Sequence, residues 1–206
     1  MRLVDVHARL LQIGSPVFQT SDAAAHLKIR NDHVSQMLRR LASAGHLVNL
    51  RRGVWAIAGR IDRLALPAIL TAPFPSYISM QTALYYHGMV SQIPTVIYAA
   101  TIGRTRRFTT PLGTVSAHHL QPSFFFGFEA VGDQGVQIAT PEKALLDILY
   151  LRPSKSKLFR AMPELELPSK FRIAEARRMI RRVPSQRRRL VSQVFEALLR
   201  NRDSAD

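Results

Sequence analysis

Apolar residues at Leu3, Val6, Leu10 and Ile13 recur with the spacing of one helical face, and Gly14 follows where a helix cap takes a left-handed residue. Thr20 or Ser21 can cap a second, short helix from Asp22 to Leu27, with Asp22 in the first turn, where the helix dipole favours a carboxylate. After a brief turn through Lys28–Arg30, Asn31 can cap a third helix from Asp32 to about Ala44. Val34, Met37, Leu38 and Leu41 share one face of it, and Gly45 ends it. Two strand-like runs follow, Leu47–Leu50 and Val54–Ile57, joined by Arg51, Arg52 and Gly53, whose glycine accepts the positive φ of a tight hairpin. Three helices and a basic hairpin predict a winged helix-turn-helix over residues 1–60.

The pattern then changes. Residues 61–72 read as a connector, with Pro67, Pro73 and Pro75 set against one long helix. Ser79 can cap a helix, MQTALYYHG, that ends at Gly88. Strand-like runs follow at Thr95–Thr101, Arg106–Thr110, Thr114–His119, Phe124–Val131 and Val136–Ala139, with Pro111–Gly113 and Gly132–Gly135 as turns. Thr140 caps another helix, Pro141 takes its first position and ALLDILYL continues it. Helix, strands and helix in one block predict an α+β domain with a small, largely antiparallel sheet over residues 61–151. Beyond Leu151, RPSKSKLFR and two prolines lead to a helix capped by Ser169 and running from Lys170 to about Val183. Ser185 can cap a final one. Both are amphipathic, so residues 152–206 form a basic helical tail to the domain at 61–206.

Charge sharpens this picture. The 206 residues carry a formal charge of +15, a field that favours polyanions. It is unevenly spread: residues 1–60 hold nine Lys/Arg against three Asp/Glu, residues 61–151 hold five of each, and residues 152–206 hold fifteen against six. A neutral middle between two basic ends implies separate tasks. The absence of cysteine removes disulfides, thiolate metal sites and a cysteine nucleophile, and makes a reducing cytoplasm the simplest home. The first residues lack the apolar core of a signal peptide, and no run approaches the ~20 apolar residues of a membrane span.

On the third helix the apolar stripe leaves Asp32, Gln36, Arg39 and Ser43 pointing outward, with Ser35 and Arg40 on the flanks. Asn31 and His33 stand at its start. Gln and Arg can read adenine and guanine edges bidentately in a major groove, and the wing residues Arg51 and Arg52 suit phosphates or a minor groove. A merely solvated helical hairpin usually mixes its charges. Here Asp32 is the one acid among Arg39, Arg40, Arg51 and Arg52. Double-stranded DNA is the expected partner.

SYISMQTALYYHGMV, ATIGRTRRF and IATPEKALLDILYL resemble the corresponding stretches of the AbiEi antitoxins, the repressor-antitoxins of type IV toxin–antitoxin systems. The resemblance runs from the first helices to about Leu199, and the ATPEKALLD run is its most specific part. It implies a repressor of its own operon, acting on its own promoter at inverted repeats, as a homodimer if the repeats are paired. It also implies a partner, a nucleotidyltransferase-like toxin whose effect the protein counters. An ordinary winged-helix regulator with a C-terminal dimerisation or sensing domain is the second reading.

Catalytic chemistry finds little support in the sequence, and no cofactor is expected. His118 and His119 are strand neighbours that point to opposite faces and cannot readily chelate one ion. Glu142, Lys143 and Asp147 lack the separated acid and E-x-K spacing of a nuclease site, and Glu142 reads as a helix-dipole partner. No G-x-S-x-G, Walker or Rossmann pattern is present. The loop with Arg104, Arg106 and Arg107 is either a solvated turn or a phosphate or partner contact. The run Phe124–Phe125–Phe126 with Phe128 reads as part of a sheet that buries both faces, with an interface patch as the second reading. In the tail, Arg178 and Arg182 point away from the apolar stripe and are the first candidates for contact with an acidic or phosphate-bearing partner.

Overall fold

The chain is a mixed α+β protein with eight α-helices and two sheets among residues 2–132, 135–152 and 165–203, which this computed structural model describes. Its contacts divide it into two compact units: Met1–Leu66 with Thr109–Thr114, and Pro67–Phe108 with Val115–Asp206.

In the first unit, α1 (Leu3–Leu10) runs on through a 3₁₀ turn and stops at Gly14, whose φ of 80° is the left-handed cap the sequence called for. Then come β1 (Val17–Gln19), α2 (Thr20–Leu27), α3 (Asn31–Ser43), β2 (Leu47–Arg51) and β3 (Val54–Ile57). The strands form an antiparallel sheet in the order β1-β3-β2. α3 buries Val34, Met37, Leu38 and Leu41, as its periodicity predicts, against Val6, Leu10, Phe18, Leu27 and Trp55. Each such side chain contributes roughly 1.5–3 kcal/mol on burial.

Three local expectations change. β1 was not anticipated: only Phe18 of its three residues is buried, so it has no period to read, and pairing with β3 creates it. The cap of α2 moves from Thr20 or Ser21 to Gln19, because the helix starts where β1 ends. The Gln19 N–H donates to Asp22 Oδ2 at 2.8 Å. The cap of α3 is Arg30, in extended conformation, and Asn31 is the first helical residue.

The chain continues with α4 (Leu66–Thr71), β4 (Ser76–Ile78), α5 (Met80–Tyr86), β5 (Val96–Thr101), β6 (Arg106–Thr110) and β7 (Gly113–His119). It ends with β8 (Phe128–Val131), β9 (Val136–Ala139), α6 (Pro141–Leu151), α7 (Ile173–Ile180) and α8 (Ser185–Asp203). Strand order is β6-β7-β5-β4-β9-β8. β4 pairs antiparallel with β5 and parallel with β9, so the sheet is mixed. α6 begins as expected, with Thr140 Oγ1 accepting from the Lys143 N–H and Pro141 at the first position. It is buried from Glu142 to Leu151 and packs on α5, α7 and α8, which makes it the central helix of the unit.

The residues read as a connector contain α4, and β4 went unseen because its three residues are all buried and follow Pro73 and Pro75. The strand expected at Phe124–Val131 is shorter. Phe124 ends a 3₁₀ turn, Gly127 turns the chain at φ 75°, and only Phe128–Val131 pairs with β9. Gly127 passes directly over Lys143, where an added Cβ would come within 3.1 Å of its side chain. The helix expected from Lys170 to Val183 contracts to α7, and Arg172 rather than Ser169 stands at its cap. The proline-broken connection at residues 153–164 and part of the Gly132–Gly135 turn, residues 133–134, lie outside the described residues.

Candidate nucleic-acid interface

The start of α2, the outward side of α3 and the β2–β3 hairpin enclose an open groove of about 820 Å³ within the first unit. It gathers Asn31, Ser35, Arg39, Ser43 and Arg52 of the residues singled out from sequence. His33, Gln36 and Arg40 are exposed on α3 but do not line it. Arg51, half-buried at the end of β2, does not line it either.

Three residues that sequence reasoning missed shape this groove. Trp55 Nε1–H donates to Thr20 Oγ1 at 2.9 Å, and the Thr20 N–H donates to the Gly53 carbonyl at 2.9 Å, so the start of α2 is tied to the hairpin turn. Asn49 Nδ2 donates to the carbonyls of Arg51 (3.1 Å) and Val54 (3.3 Å), across the register shift between Asn49 and Arg51. That bulge and Gly53 at φ 76° set the direction in which Arg51 and Arg52 leave the sheet. The legible signal was an Asn in a strand next to Arg-Arg-Gly, with a Trp two residues beyond. On α3, Ser35 Oγ donates to the Asn31 carbonyl (2.7 Å) and Ser43 Oγ to that of Arg39 (3.1 Å).

The acids of residues 1–60 are all engaged at helix starts. Asp5 accepts from the Arg2 N–H (3.2 Å), Asp22 from the Gln19 N–H, and Asp32 is paired with Arg30 at 3.2 Å. Arg39, Arg40 and Arg52 therefore have no carboxylate partner among the described residues. The groove is walled by hydrogen-bonding groups under an uncompensated positive potential.

The basic loop of the second unit is pinned. Gly103 lies against the Phe74 ring, where a Cβ would approach to 2.8 Å. The His119 Nδ1–H donates to the Gly103 carbonyl (2.9 Å), and the His119 N–H donates to Thr105 Oγ1 (2.9 Å). Arg104, Arg106 and Arg107 are exposed on it.

Arg178 and Arg182 are exposed, as the helical spacing predicts; Arg178 pairs with Glu175 at 2.8 Å on the surface, and the Arg182 guanidinium lies 3.5 Å from the Phe126 ring centre. Arg181, Arg188 and Arg189 line a groove of about 530 Å³ between α7 and α8, beside the Arg177–Glu196 pair.

The strand histidines separate as expected: His118 is buried and His119 exposed. Burial lowers the His118 pKa to about 4, and its ring exchanges a hydrogen bond with Ser116 Oγ at 2.9 Å. Glu142, Lys143 and Asp147 are buried, with Glu142 in the first turn of α6, where it was read as a helix-dipole partner. Asp147 pairs with Lys143, and its Oδ2 accepts from Tyr77 OH (2.9 Å) and Ser79 Oγ (2.6 Å). The Ser79 hydroxyl is therefore turned away from the helix start it was expected to cap. The Lys143 ammonium lies 3.7 Å from the Phe124 ring centre, and Glu142 accepts from the Arg172 N–H at 2.8 Å. Lys143 and Asp147 are wholly enclosed, whereas Glu142 borders a cleft beside the start of α6. Among the described residues no three His, Asp or Glu side chains could hold a metal ion, and no helix is long and apolar enough to cross a membrane.

A scan against models of known protein families finds no match, and a search of curated proteins finds no relative.

Proposed function

We propose that residues 1–60 act as a winged helix-turn-helix and that the protein is a sequence-specific DNA-binding repressor, serving as the antitoxin of a type IV toxin–antitoxin system. The observation that carries the DNA reading is the groove beside α3, where Arg39 and Arg52 face no carboxylate. α3 supplies Asn31, Ser35, Gln36, Arg39 and Arg40 for base edges in a major groove. The hairpin supplies Arg51 and Arg52 for phosphates. The order of elements, with the hairpin following the third helix, supports the same reading.

The antitoxin half rests on the resemblance of SYISMQTALYYHGMV, ATIGRTRRF and IATPEKALLDILYL to AbiEi antitoxins, and on the basic surface of the second unit. Its contacts with a nucleotidyltransferase-like toxin, or with that toxin's nucleic-acid substrate, fall to Arg181, Arg188 and Arg189, with Arg104, Arg106 and Arg107 as a second basic surface. Arg178 and Arg182 are exposed beside them, Arg178 paired with Glu175 and Arg182 stacked on Phe126.

Gel-shift titration of the full chain on its own upstream DNA, at several salt concentrations, tests the first half. Wild-type protein is expected to bind, and an Arg39→Ala/Arg52→Ala double variant to lose sequence preference. Unchanged affinity in the double variant rejects the DNA reading.

A further inference from the structure

A second cleft, of about 350 Å³, lies within the second unit, walled by β8 and β9, the start of α6, and the approach to α7. Its volume is at the small-ligand end of the range for binding sites. Tyr86 stands at its edge with 52% of its surface exposed, an aromatic face that the core does not use. Lys170 and Arg172 contribute two exposed cations, and Glu129 and Glu142 two carboxylates.

Glu142 decides how this charge is divided. It sits in the first turn of α6 and is 2% exposed, and it accepts from the Arg172 N–H. The positive end of α6 is thus already answered by a carboxylate, and an incoming anion has Lys170 and Arg172 to meet. The other side of the cleft is made of acceptors. His87 Nε2–H donates to the Ala139 carbonyl at 2.7 Å, which fixes the tautomer of the neutral ring, and burial lowers its pKa. Its Nδ1 is then a buried acceptor with no partner among the described residues, a costly arrangement for a folded protein to keep.

We infer that this cleft binds a nucleoside monophosphate whose base carries an exocyclic amino group. The phosphate meets Lys170 and Arg172, the base stacks on Tyr86, and the amino group donates to the carboxylate side formed by Glu129 and Glu142. Cytosine and adenine present such a donor, whereas uracil presents a carbonyl oxygen at the same place and is repelled by the glutamates. The site is separate from the groove beside α3 and is independent of the DNA reading, so loss of one leaves the other measurable.

Calorimetric titration of the full protein with CMP, AMP, UMP and inorganic phosphate tests the assignment. CMP and AMP are expected to bind, UMP to bind roughly tenfold more weakly, and phosphate more weakly still. Tyr86→Ala and Arg172→Ala are each expected to weaken CMP by roughly tenfold while DNA binding in gel shifts is retained. Tyr86 is half-exposed, and Arg172 meets Glu142 through its backbone, so neither change removes a core contact. Absence of CMP and AMP binding at millimolar concentration overturns the proposal. So does equal affinity for CMP and UMP, or CMP binding that both variants leave intact.

Discussion

Lys143 and Asp147 lie one turn apart on α6, ion-paired, with neither side chain exposed to solvent. Burial pushes the Lys143 pKa down and the Asp147 pKa up, and their mutual attraction opposes both shifts. Tyr77 and Ser79 donate to the same carboxylate, so Asp147 joins β4 and the start of α5 to the central helix. Met80, which follows, is held at φ 53°, a conformation that few non-glycine residues adopt. A buried pair of this kind is a matched unit, not a surplus of stability.

Removing one member is therefore expected to cost far more than removing both. Asp147→Ala should destabilise by about 3–5 kcal/mol, because it strands the Lys143 charge in an apolar box. Lys143→Met with Asp147→Leu should recover most of that loss. Urea unfolding of the single and double variants measures it, and a single variant within ~1 kcal/mol of wild type would show that the pair is not the clamp described.

Arg39 and Arg52 should separate by the kind of binding they support. Arg39→Ala is expected to cost about 1–3 kcal/mol on the operator and little on unrelated DNA. Arg52→Ala should weaken every sequence and lower the salt dependence by about one unit of slope. Equal effects of both variants on operator and random DNA would remove Arg39 from base readout.

His118 gives the stability a defined acid limb. Its folded pKa of about 4 lies below the ordinary value of 6.5, so between these values the unfolded chain holds a proton that the folded chain does not. Its contribution is complete above about pH 6.5 and declines as pH falls towards 4, by about 1.4 kcal/mol per unit and roughly 3 kcal/mol in all. The stability gap between wild type and His118→Leu should narrow or reverse over that interval. A gap constant from pH 7 to pH 4.5 contradicts the assignment.

If the second unit carries protection against a toxin, charge should matter where arginines remain available. With a nucleotidyltransferase-like toxin from the same operon co-expressed, Arg181→Glu with Arg189→Glu should abolish growth rescue. Arg178→Ala should leave it intact, since that guanidinium is paired with Glu175. Rescue by a residue 67–206 fragment would assign protection to the second unit. Rescue by full-length chains but not by that fragment would assign it to DNA binding.

The periodicity of α3 was legible because a helix buries every third or fourth residue whatever lies against it. Val34, Met37, Leu38 and Leu41 therefore marked its inner face, and Arg39 and Gln36 its outer one, before any partner was known. Gly14, Gly45 and Gly53 marked chain reversals for an equally local reason, since their positive φ angles suit glycine. Thr140 and Pro141 marked the start of α6 by the same local logic. The short strands β1 and β4 carried no such signal, because three residues have no measurable period and their hydrogen bonds come from distant β3, β5 and β9. Nor could spacing reveal that Glu142, Lys143 and Asp147 are buried. A charged side chain reads as surface until other segments enclose it, and here they come from Tyr77, Ser79, Phe124 and Arg172. The arginines of the tail divide in the same way: Glu175 stands one turn from Arg178 on α7, a spacing visible in the chain, whereas Glu196 and Phe126 reach Arg177 and Arg182 only through the fold. Local sequence determined where helices begin, turn and bury a face; the long-range pairing of strands and charges was settled only when the chain closed on itself.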